Sequence, residues 1–351
     1  MAEVCVTEDE VPKAPCLGWH LVLALTAVAP LFVPVPVNVN IVVTAALTVL
    51  VGSLRSVKPT PPEDSMTKKD AAKFPIIGSA VLFSLFLAFK YLPKDLVNTV
   101  LAAYFVLLGM LAMTATLDPL VAPLFPRKLA GTHFNLTICR IPVVLKDGIE
   151  LSFSGLELLL SVFTGLFSIW YLKHKHWFAN NVLGLAFSLQ GIEHLSLGSV
   201  ATGVILLSGL FFYDVFWVFF TPVMVSVAKN FEAPIKLLFP RYLVDASGKE
   251  EFSMLGLGDI VIPGIFVALV LRYDVRHARQ TSFFNSTFVG YVVGLATTIV
   301  VMNVFKAAQP ALLYIVPALF LFTFSAAGLK RRCSDLLHWH ESDVTAEKKV
   351  D

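Results

Sequence analysis

Apolar runs of 17–22 residues recur along almost the whole chain, and this limits the fold more than any other feature. They fall at residues 36–53, 75–92, 96–116, 154–172, 179–195, 200–220, 254–271, 284–305 and 310–329. A helix needs about 20 apolar residues to cross a bilayer, and lipid requires every backbone polar group to be bonded within the segment. The expected fold is therefore an all-α polytopic membrane protein of about nine transmembrane helices, with no room for a large soluble domain. Composition agrees: 56% of the residues are hydrophobic and 15% charged, against about 25% charged in ordinary soluble domains.

Nine crossings put the two termini on opposite sides, and charge then orients the chain. Seventeen Lys and Arg gather on one side, including Arg55, Lys58, Lys68, Arg127, Arg272, Arg276 and the tail residues Lys330, Arg331 and Arg332, against ten on the other. Cytosolic loops carry the excess of basic residues, so the C-terminus is expected in the cytosol and the N-terminus outside or in a lumen. Residues 229–253 run against this trend with four basic residues, as a loop docked on the protein can. The expected organisation is an N-terminal segment over 1–35, a first group of helices over 36–195, a second over 196–329, and a cytosolic tail over 330–351. Within 17–35, Pro30, Pro34 and Pro36 argue against one continuous helix. A leader, an interfacial segment and an extension of the first span stand as alternatives there. Cys5, Cys16, Cys139 and Cys333 form no CxxC pair and read as free thiols. Glu193 and His194 read as a satisfied interfacial pair, and Asp118 before Pro119 as a helix stop.

Two aspartates interrupt this apolar landscape. Asp214 lies in GVILLSGLFFYDVFWVFF, residues 203–220, and Asp259 in MLGLGDIVIPGIFVALVL, residues 254–271. A carboxylate at the centre of a membrane helix costs about 2.5–3.5 kcal/mol on insertion scales, so it faces the protein interior or a water-filled cavity and marks a candidate site. Two on successive spans suggest a facing pair, and hydrolysis needs one carboxylate to take a proton while another donates one. Asp214 follows Tyr213 and sits among Phe211, Phe212, Phe216, Trp217, Phe219 and Phe220, which are expected to enclose it. Asp259 follows Gly256, Leu257 and Gly258 and precedes Pro263-Gly264, residues that weaken helical backbone. Backbone loosened at membrane depth is tolerated only against protein or a cavity. A third element, Gln309-Pro310-Ala311-Leu312, opens the last span, with Pro310 suited to a helix start.

Tyr213-Asp214, Gly256-Leu257-Gly258-Asp259 and Pro310-Ala311-Leu312, in this order and on these spans, resemble the YD, GxGD and PAL motifs of the signal peptide peptidases. These are intramembrane aspartic proteases of the presenilin type. The stretches KDAAKFPIIG, HWFANNVLGLAFSLQGIE, VAKNFEAPIKLLFP and QPALLYIVPA extend the likeness over roughly residues 52–325, and residues 1–51 are the least similar part. Residues 221–253 are too short for the long cleaved loop of presenilins, so a single-chain enzyme is the closer match.

The resemblance implies a presenilin-like bundle in the endoplasmic reticulum membrane. It implies an endopeptidase that cuts membrane-spanning segments of remnant signal peptides and type II membrane proteins. Asp214 and Asp259 would be catalytic, with Tyr213, Gly256, Leu257, Gly258, Gln309, Pro310, Ala311 and Leu312 supporting the site. Water would be the nucleophile, with no cofactor and no metal. The partners expected are membrane-embedded peptides and further copies of the chain, with no nucleic acid. Lys348 and Lys349, fourth and third from the C-terminus, match a dilysine retrieval signal, a receptor-read address. A proton-coupled transporter is the rival from another class. It predicts an inverted repeat, and none is visible in the motifs.

Overall fold

Proline sets the start of the fold. The computed structural model describes residues 17–58, 65–125, 133–138, 149–230, 233–244, 250–277, 281–305 and 309–341. Helix α1 (Leu17–Val28) ends in a 3-10 turn holding Pro30, and α2 (Val37–Arg55) begins directly after Pro36. Residues 17–31 are thus a separate helix, shorter than a membrane span, packed on α2.

Four of the following helices start at polar caps. Thr67 accepts a hydrogen bond from Asp70 N and opens α3 (Lys68–Tyr91) seven residues before its apolar run. Helix α4 (Lys94–Val121) follows, then α5 (Gly155–His174), which Ser154 and Glu157 start with a reciprocal capping box. His176 caps α6 (Trp177–His194) and Ser199 caps α7 (Val200–Phe219). Such caps satisfy N–H groups that the first helical turn leaves unpaired. Pro119 does not stop α4 as expected: the helix runs on to Val121, since one missing N–H near a terminus removes one bond and not the turn.

The rest comprises α8 (Val223–Asn230), α9 (Gly258–Arg276), α10 (Phe283–Phe305), α11 (Leu312–Leu329) and the short α12 (Cys333–His338). Two antiparallel hairpins interrupt the helices, and the apolar pattern did not announce either of them. One pairs β1 (His133–Ile138) with β2 (Ile149–Ser154). The other pairs β3 (Lys236–Val244) with β4 (Glu250–Gly256), and its β3 strand packs against α6.

Seven of the described helices are long and apolar enough to cross a membrane: α2, α3, α4, α5, α7, α10 and α11. The expected nine included α6 and α9, and these two differ for a physical reason. Thirteen of the nineteen residues of α9 are buried, as are ten of the eighteen of α6. Their polar groups therefore meet protein, not lipid. Arg55 Nε donates to Glu193 at 2.7 Å and Lys58 adds a second contact at 3.4 Å. Arg272 of α9 is buried against Glu341, and Asp274 against Thr281. By contrast, only 6% of the apolar window of α3 is buried. Surfaces this apolar and this exposed mark contact with lipid.

Contacts sort the loops into two ends. Met66 N donates to Ser196 O, Glu341 N to Gly198 O, and Arg276 to Lys58 O at one end. At the other, Lys94 Nζ reaches Asn230 and the β3–β4 hairpin rests on the start of α6. Both candidate aspartates lie nearer the hairpin end.

Candidate active site

Helical phase decides where Asp214 points. Leu207, Leu210, Asp214 and Trp217 share the buried face of α7, at spacings of three and four. Asp214 is 4% exposed. Its Oδ2 accepts a hydrogen bond from Leu312 N at 3.0 Å, at the first residue of α11. The aromatic enclosure expected from the sequence is not what buries it: Phe212, Phe216, Phe219 and Phe220 are 51–74% exposed on the outer face. Neighbouring helices bury the acid, and the phenylalanines serve the outside. The Tyr213 ring packs against α3. A methyl group at Gly78 would lie 3.7 Å from its ring, which also stacks obliquely on Trp217. Its hydroxyl makes no hydrogen bond among the described residues.

Asp259 was expected within a span and stands instead in the first turn of α9. The glycine-rich run before it marks a change of structure. Gly256 closes β4, Leu257 is the N-cap, and Gly258 opens the helix. Leu257 N donates to Ile235 O at 3.0 Å, and Leu257 O accepts from Ile260 and Val261, so strand and helix meet with their backbone bonds kept. A Cβ at Gly256 would sit 3.4 Å from Asp259 Oδ2. Asp259 is half-buried, and among the described residues nothing hydrogen-bonds its carboxyl oxygens. Its carbonyl accepts from the Tyr291 hydroxyl of α10 at 3.3 Å. Helices α7 and α9 pack against each other, and Tyr291, which donates to Asp259 O, lies on the same helix as Thr298, which donates to Ala311 O beside the Leu312 N–H that holds Asp214.

The third motif closes the site from above. Pro310 and Ala311 are buried, Ala311 O accepts from Thr298 of α10 at 3.4 Å, and Gln309 Oε1 accepts from Tyr314 at 3.4 Å. Pro310 stands one residue before the Ala311 cap rather than as the first helical residue. Leu312, whose N–H holds Asp214, is 5% exposed. Tyr291 and Thr298 were not legible as site residues, since each is an isolated polar group in an apolar run. Lys348 and Lys349 lie outside the described residues, as do Cys5, Cys16 and Cys139; Cys333 is a free thiol. Among the described residues no group of three or more His, Cys, Asp or Glu is placed to hold a metal ion.

Comparisons to known proteins identify the family. The profile of the family described as Signal peptide peptidase matches residues 58–343. Signal peptide peptidase of Mus musculus is 43% identical over 313 residues, 87% of this chain and 83% of the relative. The protein of the same name from Homo sapiens is 43% identical over 314 residues, with the same coverage. Intramembrane protease 2 of Caenorhabditis elegans is 46% identical over 200 residues, covering 52% of this chain and 43% of the relative. The chain belongs to the signal peptide peptidase family of intramembrane aspartic proteases.

Proposed function

We propose that Asp214 and Asp259 are the catalytic pair and cut peptide bonds inside the membrane-spanning segments of remnant signal peptides and type II membrane proteins. The observation that carries this reading is the convergence of three motifs: Asp214 on α7, Asp259 at the head of α9, and the Leu312 N–H that holds Asp214 from α11. Two carboxyls acting on each other share one proton more cheaply than both ionise. The ionised carboxylate takes a proton from water as the water oxygen attacks the scissile carbonyl carbon. The protonated carboxyl gives its proton to the carbonyl oxygen, forming a gem-diol. Collapse of the gem-diol breaks the C–N bond. One carboxyl protonates the leaving nitrogen, the other recovers the hydroxyl proton, and the pair is again singly protonated.

A helical substrate hides its carbonyls in its own hydrogen bonds and must unwind to be cut. Strand addition is the physical means by which a protein selects an extended peptide. The free edge of β4 ends at Gly256, three residues before Asp259, and supports strand addition as the mode of binding here. The decisive experiment incubates purified protein with a labelled signal peptide, with and without a transition-state mimic of aspartic proteases. Inhibitable cleavage is expected, and its absence in a folded preparation would reject the reading.

Leu312→Arg would place a guanidinium beside Asp214, tying it in a charge-assisted pair and displacing the backbone donor. Cleavage is expected to fall about 100-fold, or about 2.7 kcal/mol. Full activity of a variant with normal melting in detergent would count against Leu312 as the holder of Asp214.

The reading also places the enzyme in the endoplasmic reticulum with its tail in the cytosol. Changing Lys348 and Lys349 together to Ser should send tagged protein to the Golgi and cell surface in fluorescence imaging. Unchanged reticular staining would remove the retrieval role.

A further inference from the structure

A two-stranded hairpin has two outer edges, and among the described residues α6 covers one of this hairpin's two. Along β3, Leu237 and Phe239 face β4, so the backbone groups of Lys236 and Leu238 point the other way. There α6 meets them with side chains. Asn180 Nδ2 donates to Lys236 O at 2.6 Å. Asn181 Nδ2 donates to Leu238 O at 2.7 Å, and Leu238 N donates to Asn181 Oδ1 at 2.7 Å. The Asn181 amide therefore pairs with both backbone groups of Leu238, as one residue of a neighbouring strand would. The Tyr171 hydroxyl of α5 donates to Asn180 Oδ1 at 3.2 Å, and both asparagines are buried, 4% and 8% exposed.

This arrangement has two effects. It closes the β3 edge, which would otherwise accept a strand from any chain that reached it. Among the described residues, the edge of this hairpin left unpaired is that of β4, where Met254 and Gly256 direct their backbone groups outward and Met254 is 49% exposed. It also fixes the height of the hairpin on α6. A slip of one residue would exchange inward and outward groups along the whole strand. Because β4 runs through Gly256 into Asp259, that height sets where a peptide paired to β4 lies relative to the acids.

We infer that Asn181, oriented with Asn180, is a positioning residue that determines which peptide bond of the substrate is cut. This rests on strand addition at β4, and the experiment separates the two ideas. Asn181→Asp keeps the acceptor for Leu238 N but loses the donor to Leu238 O. Leu238→Pro removes the N–H from the other side of the same contact, a group that takes no part in the β3–β4 ladder. Cleavage products of one signal peptide are mapped by mass spectrometry, and the site is titrated with a transition-state mimic.

For both variants the mimic should bind within about twofold of the parent, while the principal cut loses at least about half its share to bonds one or two residues away. A merely structural role would lower total activity and leave the proportions alone. Parental proportions in whichever variant retains mimic binding would overturn the inference, as would loss of mimic binding in both. Met254→Pro deletes an outward N–H of β4 at an edge that tolerates proline. It should abolish cleavage of an extended substrate. Normal cleavage by Met254→Pro would instead reject strand addition itself, whatever the Asn181 result.

Discussion

Asp259→Ala is expected to reduce turnover of a signal peptide by about 10,000-fold or more, and Asp214→Ala to match it. On the proposed reading the two acids, carried by different helices that pack against each other, share one proton. The proton shuttle needs both partners, so removing the second after the first should cost nothing further. The double variant is therefore expected to be no slower than either single one, since groups that act as a unit are strongly non-additive. Substrate capture should survive, because neither carboxyl belongs to the β4 edge. Rates are read by product appearance in detergent or liposomes, and capture by crosslinking. Residual turnover within tenfold of the parent in either single variant would dismantle the paired mechanism. A transporter would lose ion flux and keep no protease to lose.

Gly294→Val should be the most damaging change outside the motifs. Gly290 and Gly294 stand one turn apart on α10 where α11 crosses, with the small-xxx-small spacing that lets membrane helices approach closely. A Cβ at Gly294 would lie 2.7 Å from Ile315 Cα and 3.1 Å from Tyr314 O. These are backbone atoms, so no rotamer relieves the clash and α11 must move out. The Ser286–Phe322 hydrogen bond and the Thr287–Thr323 pair run along the same seam, both at 2.8 Å, and would be stretched. A stability loss of at least about 1–3 kcal/mol is expected. Cleavage should fall as well, because α11 carries the N–H that holds Asp214. Gly18→Ala is the control, since a methyl there meets nothing within 4 Å. Equal melting of the Gly294→Val and Gly18→Ala proteins in detergent would show that the crossing is not close-packed in the membrane.

Some of this could be read directly from residue order. Runs of span length fall on helices to within a few residues at most ends, and seven of those described have the length and apolarity of a membrane crossing, because lipid enforces internal hydrogen bonding. The misplaced starts are those where a cap such as Thr67 governs, since capping is a local polar event that hydropathy does not register. The two candidate acids stood out as well, since a carboxylate in an apolar run marks a functional-site hypothesis. The hairpins were not. Lys236–Val244 and Glu250–Gly256 mix apolar and charged residues without a clean period, and a tertiary partner, α6, makes them strands.

What residue order determined by itself is where the apolar helices run and the presence of two acids in those runs. Both follow from the transfer of side chains between water and lipid, which depends on composition over short windows. Tertiary structure decided the remainder: that α6 and α9 are enclosed, that Asp214 lies on the face opposite the exposed Phe212, Phe216, Phe219 and Phe220, that Asp259 heads a helix, and that α6 covers the β3 edge of the β3–β4 hairpin. Each of these depends on which faces meet, and a face acquires its meaning only when another helix or strand lies against it.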